Sequence, residues 1–212
     1  MLTTKFSLAL RRAVLAALLA GSSSLALADP LGYRVEIDTR QFSGAGFLDF
    51  AFIAGNSPAP GATATLSNFS GAFGALASQE GNVSGSLPGT LTFGNSGAYN
   101  DWFHNVTLGG KFGFNIVFGG DFLHTAGNAG TTFGVGLLDA SGMAYLGNVD
   151  GNLVQFELTP LNGGIPASIA GSTYAGIASI SAVPEASEWM MLTGGLALIG
   201  LALRRRQPVA RA

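Results

Sequence analysis

The fold class is decided by the stretch Tyr33-Arg34-Val35-Glu36-Ile37-Asp38, in which apolar and charged side chains alternate without a break. Successive side chains of a β-strand point to opposite faces of a sheet. The alternation therefore puts Tyr33, Val35 and Ile37 on one face and the three charged residues on the other. It predicts a strand with one buried face and one face in solvent.

Seven further short stretches resemble this one and are separated by turn signals such as Gly109-Gly110 and Asp150-Gly151. No run with helical periodicity lasts ten residues. Short strands at this spacing predict an all-β body with a β-sandwich or jelly-roll-like architecture. The stretches are Phe47 to Ile53, Ala62 to Phe69, Leu91 to Phe93, Phe103 to Leu108, Phe112 to Phe118, Thr132 to Leu138 and Leu153 to Leu158.

The expected body, residues 29–183, is long enough for one domain with a substantial core. It is rich in glycine, but its 14 phenylalanines supply bulky core material and argue against disorder. The chain contains no cysteine, which excludes disulfides and thiol catalysis. The body carries three basic and ten acidic residues. A chain with so few cations cannot neutralise several phosphates, so no nucleic-acid partner is predicted.

The amino terminus has the order of a cleavable secretory signal. Three basic residues precede an apolar run from Ala13 to Ala20, and Ala26 and Ala28 provide the small side chains that flank a signal-peptidase site. Residues 1–28 are thus predicted to be a signal peptide, and the mature chain is expected to begin at Asp29. The implied partners are the secretion machinery and signal peptidase.

Metal and cofactor sites are not predicted. His104 and His124 lie twenty residues apart without a metal-ligand spacing, and a solvated or hydrogen-bonded role explains them. The series Asn148, Asp150, Asn152 resembles the start of a calcium loop, but the glycine and glutamate that such a loop needs are absent, so a turn at Asp150-Gly151 explains it more simply. No cofactor motif occurs.

Catalytic motifs are also lacking. The body contains carboxylates that a glycosidase would need, but no pattern selects a pair, and no Gly-x-Ser-x-Gly elbow is present. We therefore expect that the protein is not an enzyme, with a secreted hydrolase as a weaker alternative.

The segment from Tyr99 to His104 is the candidate ligand site. An exposed aromatic ring beside amide and carboxylate groups can stack on a sugar and hydrogen-bond to it. Tyr99, Asp101 and Trp102 are the predicted glycan contacts. Packing of Trp102 in the core or at its rim is the favoured alternative.

The carboxyl-terminal segment has the features of a short membrane anchor. Residues 189–203, from Trp189 to Leu203, are uncharged and mostly apolar, and the cluster of Arg204, Arg205 and Arg206 follows directly. Fifteen helical residues span about 22 Å, somewhat less than the hydrocarbon core of a bilayer. The arginines are expected to stay in the cytoplasm, and Trp189 is expected to lie at the interface.

The order Val183-Pro184-Glu185, apolar helix, arginine cluster resembles the PEP-CTERM sorting signal of Gram-negative bacteria. The chain departs from the family pattern at Ala186, where the motif has a second proline. The resemblance implies that residues 184–212 form a sorting signal and that Pro184 and Glu185 are recognised by exosortase, a membrane-embedded transpeptidase. The body is also similar to one group of such proteins, through motifs at 33–39, 46–52, 64–69 and 81–85.

These features predict an exported protein, held first in the inner membrane with its body in the periplasm and then sorted to the cell surface or beyond it. The expected role is structural or adhesive in an exopolysaccharide-associated envelope or biofilm. The alternative is a carbohydrate-binding module that uses the aromatic patch around Trp102.

Overall fold

A computed structural model describes residues 32–55, 59–183 and 193–197 of the chain. Several sequence predictions lie outside these residues and concern the two ends. They are the signal peptide with Ala26, Ala28 and Asp29, the sorting pair Pro184 and Glu185, and the anchor residues Trp189, Leu203, Arg204, Arg205 and Arg206.

The body consists of two antiparallel six-stranded sheets, so the all-β prediction is confirmed. Sheet 1 contains β1 (Gly32–Asp38), β3 (Thr63–Ser70), β5 (Val83–Gly85), β6 (Leu91–Gly94), β8 (Lys111–Gly119) and β12 (Ala178–Ala182). Sheet 2 contains β2 (Gly44–Ala54), β4 (Phe73–Glu80), β7 (Tyr99–Leu108), β9 (Thr131–Leu138), β10 (Val154–Thr159) and β11 (Ser168–Thr173).

The strand order separates the predicted strands from the others. Sheet 1 runs β12-β1-β8-β3-β6-β5 and sheet 2 runs β11-β10-β9-β2-β7-β4. The eight strands that the sequence predicts are the eight interior strands, and the four that it does not predict are the four edges. The turn at Asp150-Gly151 falls within the long connection between β9 and β10, which pair as antiparallel neighbours.

A single core fills the space between the two sheets. The alternation in β1 has the predicted outcome, since Val35 and Ile37 are fully buried. Rings from the two sheets pack against each other: the centroid of Phe118 on β8 lies 6.1 Å from that of Phe133 and 5.0 Å from that of Phe156. Nine phenylalanines are almost completely buried: Phe50, Phe52, Phe93, Phe112, Phe114, Phe118, Phe122, Phe133 and Phe156.

Both described ends of the body lie in sheet 1. The Val183 N–H donates to the carbonyl oxygen of Gly32 over 2.9 Å, beside the pairing of β1 with β12. Of the apolar tail, the structure describes one helical turn at 193–197. Within the described ranges, no helix is long and apolar enough to cross a membrane.

Candidate functional site

A cleft of about 480 Å³ lies on the outer face of sheet 2. Small residues form its floor, because Ala51 on β2 pairs directly with Gly134 on β9 and both line the cleft. Asp101 flanks Ala51 on one side, and Gln155 flanks Gly134 on the other. Ala51 carries only a methyl group, and the Asn152 amide packs over Gly134, where a Cβ would collide with it.

Three tyrosines form the walls of the cleft. Tyr99, Tyr145 and Tyr174 line it, with exposed fractions of 44%, 38% and 52%. Their rings come from the start of β7, from the β9–β10 connection and from the residue after β11. A smaller depression of about 150 Å³ near Asp38 and Lys111 is lined without any aromatic ring.

The position of Tyr145 depends on a turn that Asp139 organises. One Asp139 carboxylate oxygen accepts the Ser141 hydroxyl at 2.6 Å and the Ser141 N–H at 3.1 Å, and these hydrogen bonds lower the pKa of Asp139. The loop then returns to the sheet, where Leu138 and Tyr145 form a β-bridge. Gly136 permits this return, since a Cβ there would lie 3.1 Å from the Tyr145 ring.

Amide side chains supply much of the polar lining. Asn148, Asn152 and Gln155 all line the cleft. Asn148 donates to the carbonyl oxygen of Asn152 over 2.7 Å, and Gln155 donates to Glu157 over 2.6 Å. These bonds hold the amides in defined orientations, which suits them to direct hydrogen bonds toward a ligand.

The floor also holds an acidic pair. Asp49 lines the cleft, while Asp101 is buried with 8% of its surface exposed. Burial, a hydrogen bond with Asp101 and the charge of Asp101 raise the pKa of Asp49 to about 8. Burial and the nearby carboxylates also raise the pKa of Tyr99 above its usual range. Tyr99 also hydrogen-bonds to Asp101, and beyond these contacts Oδ1 of Asp49 and Oδ1 of Asp101 are buried without a hydrogen-bond partner.

The described lining of the cleft carries acidic groups and no positive charge. Among the described residues that line it there are two aspartates, Asp49 and Asp150, but no lysine, arginine or histidine. Two of the body's cations have acidic partners elsewhere: Arg40 pairs with Asp38 at 2.6 Å, and Arg34 lies 3.8 Å from Glu36 on β1. The site is therefore suited to neutral or cationic ligands.

The structure separates the three predicted glycan contacts. Tyr99 lines the cleft and Asp101 lies buried beside it, but Trp102 is only 3% exposed and packs in the core between the sheets. The expectation that the Trp102 ring stacks on a sugar is wrong, because Trp102 and Tyr99 point to opposite faces of β7. The favoured alternative, core packing of Trp102, describes its position.

His104 and the calcium-like segment have structural roles, whereas His124 is exposed. Both ring nitrogens of His104 are engaged, one by Trp102 and one by the carbonyl oxygen of Gly74. An Asn148 side-chain oxygen accepts the Asp150 N–H at 3.3 Å, which closes the local turn. In the part of the chain that the structure describes, no group of three or more His, Asp or Glu side chains is placed to hold a metal ion.

No sequence pattern indicates that Asp49, Tyr145 and Tyr174 share a site with Tyr99. Tyr145 and Tyr174 lie outside every predicted strand, and Asp49 was one of several unselected carboxylates. Comparison with known proteins adds no relative: no protein family, curated protein or solved structure matches the chain.

Proposed function

We propose that this chain is an exported cell-surface protein whose body, built as a β-sandwich, binds a polysaccharide in the tyrosine-lined cleft of sheet 2. The observation that carries the proposal is the placement of Tyr99, Tyr145 and Tyr174 around a floor of amides and carboxyl groups. Tyrosine rings stack on the apolar faces of sugars, and amides and carboxylates bond to their hydroxyls.

The two ends of the sequence support delivery to the surface. The basic and apolar order of residues 1–28 with Ala26 and Ala28 favours export by the secretion machinery. The Val183-Pro184-Glu185 segment, the apolar stretch and the arginines favour transient retention in the inner membrane and processing by an exosortase-like transpeptidase. A glycan-binding body at that destination would serve adhesion within an exopolysaccharide matrix, without catalysis.

Binding of the purified protein to extracellular polysaccharide tests the proposal. Aromatic pairs gain about 0.5–1.5 kcal/mol beyond burial of area, and we take the same range for a sugar stacked on a tyrosine ring. We therefore expect saturable binding that falls several-fold in Tyr145→Ala or Tyr174→Ala and more than about tenfold in the double variant. Val117→Ala, an exposed apolar residue of sheet 1, is the matched control and should bind as the parent does.

Two results would overturn the proposal. The first is an absence of saturable binding to every polysaccharide tested, which would leave a purely structural role in the matrix. The second is equal weakening in the Val117→Ala and tyrosine variants, which would place the binding outside the cleft.

A further inference from the structure

We infer that the cleft recognises an amino sugar with a free, unacetylated amine, and that Asp49 and Asp101 are the counter-charges of its ammonium group. This inference rests on the proposed glycan-binding function and names the chemical class of the glycan. It comes from the acidic pair in the floor and from the charge of the surrounding surface.

The acidic pair is hydrogen-bonded between Asp49 and Asp101, and Tyr99 also hydrogen-bonds to Asp101. Beyond these contacts, Oδ1 of Asp49 and Oδ1 of Asp101 are buried without a hydrogen-bond partner, and Asp101 is more than nine-tenths buried. A buried acceptor without a partner is destabilising, and more so when it is charged. A ligand that brings donors to this position would recover that free energy, and Asp49 is open to the cleft from which such a ligand arrives.

An ammonium group is a better ligand for the two carboxyl groups than a hydroxyl group is. It offers three donors and a positive charge, whereas a sugar hydroxyl offers one donor and no charge. Two carboxyl groups in contact cannot both ionise without a compensating cation. Burial and Asp101 raise the pKa of Asp49 to about 8, so a proton occupies the empty pair at neutral pH. A bound ammonium would take over the compensating role of that proton.

Further carboxylates around the acidic pair also favour a cationic ligand. Asp150 lines the cleft, and Glu80 on β4 lies directly opposite Asp101 on β7. Glu157 on β10 accepts hydrogen bonds from Thr132 and Gln155 at the other side of the cleft. No cation among the described residues lines the cleft to compete for these carboxylates. The cleft therefore attracts a positive ligand and disfavours uronic or sulfated sugars.

The tyrosine walls favour an amino sugar over a flexible cation such as a lysine side chain. An aromatic ring attracts a cation over its face and also stacks on the C–H face of a sugar ring. A rigid pyranose can use the rings and the acidic pair together. A lysine side chain would use the acidic pair but would lose the rotamer entropy of its four-carbon stem on binding.

The test compares glucosamine and N-acetylglucosamine oligosaccharides of equal length by calorimetry near neutral pH. We expect the free amine to bind at least about tenfold more tightly than the acetylated sugar. Asp49→Asn and Asp101→Asn should each lower this ratio, because each leaves a single carboxyl group, and the double variant should bring it close to one, since two amides cannot balance a cation. Glu36→Gln removes an exposed carboxylate from sheet 1 and should leave the ratio unchanged. Thermal unfolding of each variant establishes that it is folded.

The outcomes separate the two proposals. Equal binding of both oligosaccharides, abolished by the tyrosine substitutions, would overturn the amine preference and keep the glycan-binding function. Oligolysine that binds as tightly as the glucosamine oligomer would also overturn it, by showing a site for cations in general. A ratio that persists in the double asparagine variant would place amine recognition away from the acidic pair.

Discussion

The indole Nε1 of Trp102 donates a hydrogen bond to Nδ1 of His104 over 3.1 Å, and Nε2 of the same imidazole lies 3.1 Å from the carbonyl oxygen of Gly74. Since an indole N–H can only donate, Nδ1 is the acceptor and the imidazole proton resides on Nε2. Burial lowers the pKa of His104, which also favours this neutral form. The pair thereby connects the core face of β7 to the edge strand β4.

Trp102→Phe should reduce the free energy of unfolding by about 1–3 kcal/mol, because it leaves Nδ1 of His104 buried without a donor. Urea denaturation followed by circular dichroism measures this change. Trp189→Phe makes the same substitution outside residues 29–183 and should leave the midpoint of the unfolding transition unchanged. A loss no larger than in that control would show that the Trp102 hydrogen bond does not stabilise the fold.

The acidic pair should make the body less stable as the pH rises. The native state holds a proton on Asp49 up to about pH 8, whereas the unfolded chain releases it near the ordinary value of 3.8. Between these values the native state binds more protons, so this contribution is complete at low pH and is lost as the pH rises through about 8. The slope is at most about 1.4 kcal/mol per pH unit.

The Asp49→Asn variant isolates this effect. Other titrating groups, such as His104, are common to both proteins, so their contributions largely cancel in the difference between parent and variant. We expect the stability of the parent relative to the variant to decline from mildly acidic to mildly alkaline pH, as measured by urea denaturation. A difference that stays constant across this range would contradict the assigned protonation of Asp49.

Gly85→Ala should destabilise the protein by about 1–3 kcal/mol. Gly85 ends β5 with a φ of 106°, a backbone conformation that alanine rarely adopts, and a Cβ there would collide with the carbonyl oxygen of Thr90. Thermal or chemical unfolding measures the loss. Gly110→Ala is the matched control, because a Cβ at that position meets nothing within 4 Å. Similar stability of both variants would show that the β5–β6 turn tolerates a side chain.

Replacement of Arg204, Arg205 and Arg206 by glutamine should weaken retention of the precursor in the inner membrane. Moving an arginine into the bilayer costs about 2.5–3.5 kcal/mol, so the cluster opposes passage of the carboxyl terminus through it. Membrane fractionation and mass spectrometry of the mature termini in the native host measure retention and trimming. Identical behaviour of parent and variant would remove the arginines from the sorting signal.

The four edge strands show where prediction from the sequence fails. In β4, Phe73 is half-buried and the seven residues that follow are exposed, so its side chains carry no alternation. Strands β5, β11 and β12 are short and made mostly of small or polar residues. Each edge strand joins its sheet through backbone hydrogen bonds with one neighbour. Because backbone pairing does not require a particular side-chain pattern, the sequences of these strands do not identify them.

The candidate site, too, could be predicted from the sequence only in part. Tyr99 and Asp101 share one face of β7, but aromatic rings occupy both faces of this strand, since Phe103 points outward and Trp102 inward. Local sequence could not decide which face meets the second sheet. Asp49 reaches Tyr99 through the pairing of β2 with β7, Tyr145 through the return of the β9–β10 loop, and Tyr174 through the pairing of β11 with β10.

The all-β class and the eight interior strands can be predicted from the sequence alone. A strand with one buried face needs apolar side chains at every second position, and this alternation is visible locally in stretches such as 33–38. The edge strands, the burial of Trp102 and the cleft become apparent in the three-dimensional fold. These depend on which distant strands become neighbours, because the free energy that selects a sheet partner comes from packing across the whole core.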